Sequence, residues 1–389
     1  MKTKHYLSTM LLLGALFFGA NVNAQPGAHD PSQMWVNNGS YFVYCTGQGI
    51  YEIKSSSTSF SSYSTRSNVI PNYSWIQNYV SGFAGFYWAP ELMWMNNKYY
   101  LFYACSMGAR PCCIGVASSP SLTSPVWTDL GMVVYSDNST VYGCIDPDVF
   151  WAQNGTLWLA AGSHLNGIFL QQLNPATAKP LNSTRYNIAN DNCEAAHIDY
   201  NGGYYYVFFN RGTCCAGTAS TYTIYVGRST NLTGPYLDKN GKDCKASGGT
   251  VFLKSTGRYI GPGQYGYGCG KLTYHFYDGN DNGVPKLAIN TVTWTGGWPV
   301  AGTLKSAEDD VYVKSASKIT LYPTVVNATL TIQGAEPNCI YKVYAMSGAL
   351  VKQGTLDSES IDVSNLAGGM YTISIKENNE MVNLKFVKK

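Results

Sequence analysis

Charge is in short supply in this chain. Asp, Glu, Lys and Arg make up 13% of the 389 residues, and the formal net charge is +3. So weak and balanced a field argues against nucleic acid or an anionic membrane as partner. Lysine is scarce within residues 25–300. Past the first two dozen residues there is no apolar run of the ~20 residues that a membrane helix needs. No C-x-x-C…C-x-x-C spacing marks a structural zinc site. No D-x-D-x-D-G run marks a one-loop calcium site.

What is present begins with Lys2 and Lys4, the apolar run Leu11-Leu12-Leu13-Gly14-Ala15-Leu16-Phe17-Phe18, and small residues at Val22-Asn23-Ala24. This pattern predicts a secretory signal peptide over 1–24, cut before Gln25. Eleven cysteines in an exported chain then predict disulfides rather than metal thiolates. Two adjacent pairs, Cys112-Cys113 and Cys214-Cys215, follow aromatic segments, and Cys339 is the candidate for the one left over.

A repeat organises residues 25–300. Its clearest copy is Cys144-Ile145-Asp146-Pro147-Asp148-Val149-Phe150-Trp151, then Ala152-Gln153-Asn154-Gly155 and Thr156-Leu157-Trp158-Leu159. Other copies turn at Asn37-Asn38-Gly39, Asn96-Asn97-Lys98 and Asn201-Gly202-Gly203, with a weaker one near Cys269-Gly270. Each is followed by an aromatic strand such as Tyr99-Tyr100-Leu101-Phe102-Tyr103. Asn/Gly turns between such segments predict hairpins. Copies about 50–60 residues apart suggest the blades of a propeller. The many tyrosines fit strand positions.

The first positions of the copies read Asp30, Ala89, Asp146, Glu194 and Gly261. In a ring these would converge near the central channel, bringing three carboxylates together. Such a grouping costs free energy and is expected where pKa values must be pushed apart. Metal binding and glycoside hydrolysis both use it. Without a calcium-loop run, hydrolysis is favoured: one carboxylic acid protonates the leaving oxygen while a carboxylate across the sugar activates water. Opposite blades suit the wider spacing that leads to inversion. Asp146 is preferred over Asp148, which falls out of register.

From about Ala301 the aromatic pattern stops, which places a linker at 301–316. Residues 317–389 read as short alternating strands, among them Thr329-Leu330-Thr331-Ile332 and Tyr371-Thr372-Ile373-Ser374-Ile375. Evenly spaced short strands predict a small antiparallel β-sandwich. The fold class is therefore all-β, a five-bladed β-propeller followed by that sandwich.

Residues 25–300 resemble glycoside hydrolase family 43, most closely its endo-1,5-α-L-arabinanase branch. The likeness rests on Ala28-His29-Asp30-Pro31, Trp88-Ala89-Pro90-Glu91, Ile145-Asp146-Pro147, Ala161-Gly162-Ser163, Glu194-Ala195, Cys214-Cys215-Ala216-Gly217 and Gly257-Arg258-Tyr259-Ile260-Gly261-Pro262-Gly263. It implies Asp30 as general base, Glu194 as general acid and Asp146 as the carboxylate that orients the acid and modulates its pKa. It also implies Trp88 as a stacking wall and Ser163 as a hydrogen-bonding contact for sugar, the alternatives being purely structural roles. His197 is a minor candidate and His275 a structural histidine.

Three departures from that pattern stand out. Glu91 replaces an aspartate, the segment around Arg211 differs and places an arginine that could cap the cleft, and Gln264 stands where the family carries a histidine beside a central metal ion. No cofactor is required for the chemistry, and a central calcium, held by Gln264 if at all, is not expected.

The tail resembles a type IX secretion sorting domain through Leu321-Tyr322-Pro323, Val343-Tyr344-Ala345-Met346-Ser347-Gly348 and the basic end Lys385-Phe386-Val387-Lys388-Lys389. The implied partners are plant cell-wall polysaccharide or oligosaccharide and the type IX secretion machinery, and the implied location is secreted or at the outer cell surface. Competing readings are an exo-acting arabinofuranosidase, β-xylosidase or galactofuranosidase of the same family, and a non-catalytic surface glycan-binding propeller.

Overall fold

The structure, a computed structural model, describes residues 25–302 and 319–389 apart from 191, 334–338, 346–349, 357 and 378–379. The expected signal peptide and nearly all of the expected linker lie outside the described residues. By its internal contacts the chain divides into two compact units, 1–304 and 305–389. Strands dominate both, and the fold is all-β.

In the first unit five sheets follow one another along the chain, each an antiparallel meander. The first runs Trp35–Asn37, Ser40–Cys45, Tyr51–Ser55, Tyr63–Arg66. The second runs Phe86–Met95, Lys98–Ser106, Cys112–Ser119, Thr128–Ser136, with Gly47–Gln48 added at its edge. The third holds Asp148–Trp151, Leu157–Ser163 and Gly167–Asn174, flanked by Lys179–Pro180 and Tyr186–Ala189. The fourth is Glu194–Asn201, Tyr204–Arg211, Thr223–Ser229, Thr250–Leu253. The fifth is Tyr259–Gly268, Lys271–Asp278, Val284–Asn290, and a hairpin of Val292–Thr295 and Trp298–Ala301 follows it.

The aromatic strands are apolar along their central positions because both their faces are covered. In Lys98–Ser106, Tyr99, Leu101, Tyr103 and Cys105 join Phe42 and Tyr44 of the first sheet in one core cluster. The alternate residues Tyr100, Phe102 and Ala104 join Leu157 and Leu159 of the third. Tyr204–Arg211 repeats this, with Val207 and Phe209 facing Ile168 and Leu170, and Tyr206 and Phe208 facing Leu272 and Phe276. Burying such a side chain stabilises by roughly 1.5–3 kcal/mol. A further cluster joins Leu287 of the fifth sheet to Met34, Val43 and Ile53 of the first. There the entering chain adds to the fifth sheet's edge: Leu287 N–H donates to the Pro26 carbonyl at 2.8 Å and Ala28 N–H to that of Pro285 at 3.1 Å.

Four of the expected hairpin turns are two residues long with both residues left-handed, at Asn38-Gly39, Asn96-Asn97, Gly202-Gly203 and Cys269-Gly270. This is the turn whose twist matches the strands it joins. The third copy differs: Trp151 pairs with Leu157, leaving a longer loop over 152–156.

The second unit holds two sheets. One is Thr320–Tyr322, Thr329–Gln333 and Ser360–Asp362. The other is Val325–Val326, Glu380–Lys388, Gly369–Glu377, Ile340–Ala345 and Leu350–Thr355, in that order. Leu330, Ile332, Val343 and Ile373 form its apolar core. The expectation of purely antiparallel pairing is corrected at one place: Val325–Val326 runs parallel to Glu380–Lys388.

The expected disulfides are also corrected, since all eleven cysteines are free thiols in the structure. Seven are buried. Cys105, for example, faces Cys113 across neighbouring strands among aromatic side chains. There cysteine acts as a small hydrophobe. Cys339 packs at the edge of the second unit's core.

Candidate active site

Asp30, Asp146 and Glu194 line one cleft of about 670 Å³, together with Trp88, Tyr222 and His29. That volume is typical of a small-molecule or oligosaccharide site. Among the described residues, no helix is long and apolar enough to cross a membrane.

Backbone conformation aims these side chains. Asp30 (φ +48°), Ala89 (φ +23°) and Asp146 (φ +53°) are left-handed non-glycine residues at the first positions of their copies. Each such residue costs roughly 1–2 kcal/mol, and strain of this kind persists only where surrounding structure enforces it. The fourth copy is offset by one: Glu194 precedes the left-handed Ala195 (φ +58°). A bulge between Glu194 and His197 accompanies this and turns the Ala195 N–H onto Asp146 Oδ2 at 3.0 Å. One irregularity thus sets Glu194 at the strand's start and ties the backbone beside it to the neighbouring carboxylate.

The three carboxyls sit in contrasting surroundings. Asp30 Oδ2 accepts from Thr46 Oγ1 at 2.7 Å and lies 2.8 Å from His29 Nδ1, while its backbone N–H donates to His275 Nδ1 at 3.1 Å. Burial alone would raise the Asp30 carboxyl, but the charge and hydrogen bond of His29, helped by His275 and Thr46, hold it well below the usual carboxylate range. Burial likewise pulls His29 down, yet Asp30 outweighs it and raises the imidazole to about 10. Asp146 goes the other way. Burial, then the negative charges of Glu194 and Asp30, push it well above its ordinary value. Glu194 Oε1 accepts from the Tyr222 hydroxyl at 2.7 Å and lies 3.0 Å from His164 Nε2. Both partners use the same oxygen, which leaves Oε2 free to face a substrate.

Tyr222, His164, His29 and Thr46 had no assigned role in the sequence. Tyr222 and His164 reach Glu194 from segments outside the repeat; Tyr222 stands in Ser220-Thr221-Tyr222, one of the stretches that carry the family resemblance, but no spacing gave either residue a role. His29 was quoted only as part of a motif, although its place beside Asp30 was a usable signal.

Trp88 lines the cleft, as does Phe86. Ser163 is buried and not among the cleft-lining residues; its hydroxyl accepts from Leu165 N–H at 3.4 Å. Arg211 does not cap the cleft: it donates to the carbonyls of Gly248 and Asn190 and stacks on Phe209. Asp148 and His197 lie outside the cleft lining, paired with each other at 3.2 Å.

The cation implied by the family resemblance finds a poor donor set. Gln264 is buried with φ +59°, and its backbone N–H donates to Asn210 Oδ1 at 3.2 Å. Two buried polar atoms in this sheet lack a partner among the described residues, the Tyr274 hydroxyl and His275 Nε2, and the second lies beside Asp30. Burial and His29 push His275 down to about 3, so it is neutral. Because its Nδ1 accepts from Asp30 N–H, Nε2 carries the proton and is a donor. A donor suits water rather than a cation, so the residues present do not fit the ion.

Comparison with known proteins agrees with this geometry. Residues 21–299 match the family described as glycosyl hydrolases family 43, and residues 320–389 match the secretion system C-terminal sorting domain. An extracellular endo-α-(1→5)-L-arabinanase 1 of Bacillus subtilis is 38% identical, over 73% of this chain and 90% of that protein. An extracellular exo-α-(1→5)-L-arabinofuranosidase of Cellvibrio japonicus is 32% identical, over 80% of this chain and 96% of that one. The solved endo-arabinanase of Bacillus licheniformis superposes with a TM-score of 0.67 at 37% identity, covering 70% of this chain and 97% of that one. With the matched region spanning the whole cleft-bearing unit, the chain is an exported glycosidase and belongs to glycosyl hydrolases family 43.

Proposed function

We propose that this protein is a secreted or cell-surface hydrolase of α-1,5-linked arabinan or arabinooligosaccharides, acting with inversion. Asp30 is the general base, Glu194 the general acid, and Asp146 the carboxyl that orients Glu194. The observation that carries this reading is three carboxyls in one cleft with opposed electrostatics: Asp30 is held ionised while Asp146 is pushed up. A base must stay charged while a proton is retained beside it. Asp30 stands ahead of the first sheet and Glu194 begins the fourth, which favours separation across the cleft and room for water. Trp88 supplies an apolar wall on which a furanose ring stacks. Ser163 acts on the sugar only indirectly, through the loop it holds at Leu165.

The architecture that supports this reading is a five-bladed β-propeller over 25–300. Five core clusters in series, the last joining the fifth sheet to the first, are the support for closure. Residues 1–24 act as the signal peptide, 301–316 as linker, and 317–389 as a β-sandwich that addresses the chain to the type IX machinery. No cofactor takes part.

Debranched arabinan is the test substrate. Proton NMR in the first minutes should show the inverted anomer, and a retained anomer would make Asp30 or Asp146 a nucleophile. Chromatography of the products separates endo action, which yields a ladder of oligosaccharides, from the exo alternative, which yields one short product from the start.

A further inference from the structure

Beside the base, His29 meets two thiols to which the hydrolytic reading gives no role. His29 Nε2 stands 3.7 Å from Cys214 Sγ and 3.7 Å from Cys215 Sγ. The three donor atoms all lie within 4.8 Å of one another. We propose that His29, Cys214 and Cys215 form a binding site for a thiophilic d¹⁰ cation such as Zn²⁺, and that filling it inhibits the hydrolase.

Geometry supports the site. A tetrahedral ion with bonds of about 2.3 Å to sulfur and about 2.0–2.1 Å to nitrogen sets those atoms about 3.6 Å apart, which both N···S separations nearly meet. The donor set, two sulfurs and one imidazole, selects zinc, cadmium or copper(I) over calcium or magnesium. The other ring nitrogen of His29 is 2.8 Å from the Asp30 carboxylate. Metal-bound histidines almost always carry such a partner, which fixes ring and tautomer. Cys215 is exposed, and both thiols line the cleft, so an ion has a path in; it would take the place at His29 Nε2 now held by the Tyr277 hydroxyl at 2.8 Å, which also lies 3.4 Å from Cys214 Sγ.

Binding displaces protons from the Cys-Cys-His group, because both sulfurs must be thiolates and the ring neutral. Because all three ligands line the cleft together with Asp30, an ion held by them narrows it beside that carboxylate. Inhibition rests on the proposed hydrolytic function, whereas binding does not.

The test uses the full-length secreted protein, reduced and freed of metal. Cd²⁺ titration should produce a thiolate-to-metal absorption band saturating at one ion per chain, absent from the Cys214→Ser/Cys215→Ser double variant. Zn²⁺ should inhibit arabinan hydrolysis reversibly by chelator. In the double variant, judged against its own metal-free rate, the concentration for half inhibition should rise at least tenfold. An unchanged band in the double variant, no band in the parent, or a Cys214–Cys215 disulfide in protein taken from the culture medium would overturn the site. A normal band without inhibition would overturn only the inhibitory half. Protein that binds Cd²⁺ but hydrolyses no arabinan would count against the proposed function and leave the site standing.

Discussion

Asp146 and Asp148 are two residues apart, yet they belong to different worlds. Asp146 lines the cleft with Glu194 and Asp30, and among the described residues the one donor it receives is the Ala195 N–H. Asp148 belongs with Glu91 and His197 to a closed group in which each is 4% exposed or less. There every oxygen is used. Asp148 Oδ1 faces His197 Nδ1 at 3.2 Å and Oδ2 accepts from Ile198 N–H at 2.7 Å. Glu91 accepts from Leu92 and Gln33 N–H, and His197 reaches on to Asp199 Oδ1 at 3.4 Å. Burial alone would lower His197, but Asp148 and Asp199 outweigh it and raise it well above its ordinary value. The same residue types thus do opposite work. A saturated cluster joins neighbouring sheets, and an unsaturated one lining a cleft is the one proposed to perform the chemistry.

The largest effect expected from breaking this contrast lies at the acid. Glu194→Gln should lower hydrolysis of natural arabinan by about 10²–10⁴-fold, with an aryl arabinofuranoside bearing a good leaving group far less affected. Equal losses on both substrates, measured as kcat/KM, would remove Glu194 from the role. Asp148→Asn, purified in folded form, should keep most of the activity, and a loss matching that of Asp146→Asn would dissolve the distinction between the clusters.

The next effect is on stability. His197→Ala removes the cation from a closed group of carboxylates, and breaking a buried pair from one side costs about 3–5 kcal/mol. Urea unfolding would read it directly. A change below ~1 kcal/mol would mean that the cluster is not the joint described above.

Much of this was legible beforehand, and the reasons differ by residue. The hairpins at Asn38-Gly39 and Gly202-Gly203 were readable because two consecutive left-handed residues admit little besides Asn and Gly. Asp30 and Asp146 were readable because a repeat fixes equivalent positions. Glu194 was found in spite of a one-residue offset, since the bulge that shifts it leaves no mark in the spacing. Tyr222 and His164 were not readable, because nothing local says which neighbouring segment will reach across to a carboxylate. The cysteines were misread because export favours disulfides, while the structure uses most of them as apolar filling.

A smaller effect tests the closed cluster through pH. Burial, then the Asp148 charge, raises Glu91 to about 7 from its ordinary 4.5. Between those values the native state holds a proton that the unfolded state has lost. Stability contributed by this group is therefore full below about pH 4.5 and falls as pH rises toward 7, by on the order of 3 kcal/mol. Glu91→Gln removes the titration. Its melting temperature relative to the parent should rise steadily from pH 5 to pH 8, and a constant difference across that range would count against the protonated Glu91.

The smallest effect on catalysis is expected from the largest deletion. The buried carboxylates and histidines of both clusters, and every left-handed non-glycine residue among those described, lie before residue 283, whereas the second unit's core is built from side chains such as Leu330, Val343 and Ile373. A unit with an apolar core of its own and no part in either cluster has no physical route to the chemistry other than contact. A chain ending near Ser315 should therefore fold, melt within a few degrees of the parent and hydrolyse arabinan with kcat and KM within about twofold, a difference of ~0.4 kcal/mol in the barrier. It should no longer be displayed at the cell surface, which fractionation of cells and medium would show. A truncated protein that stays folded by circular dichroism but loses activity would mean that the second unit completes the cleft. The contrast drawn above would then have to include it.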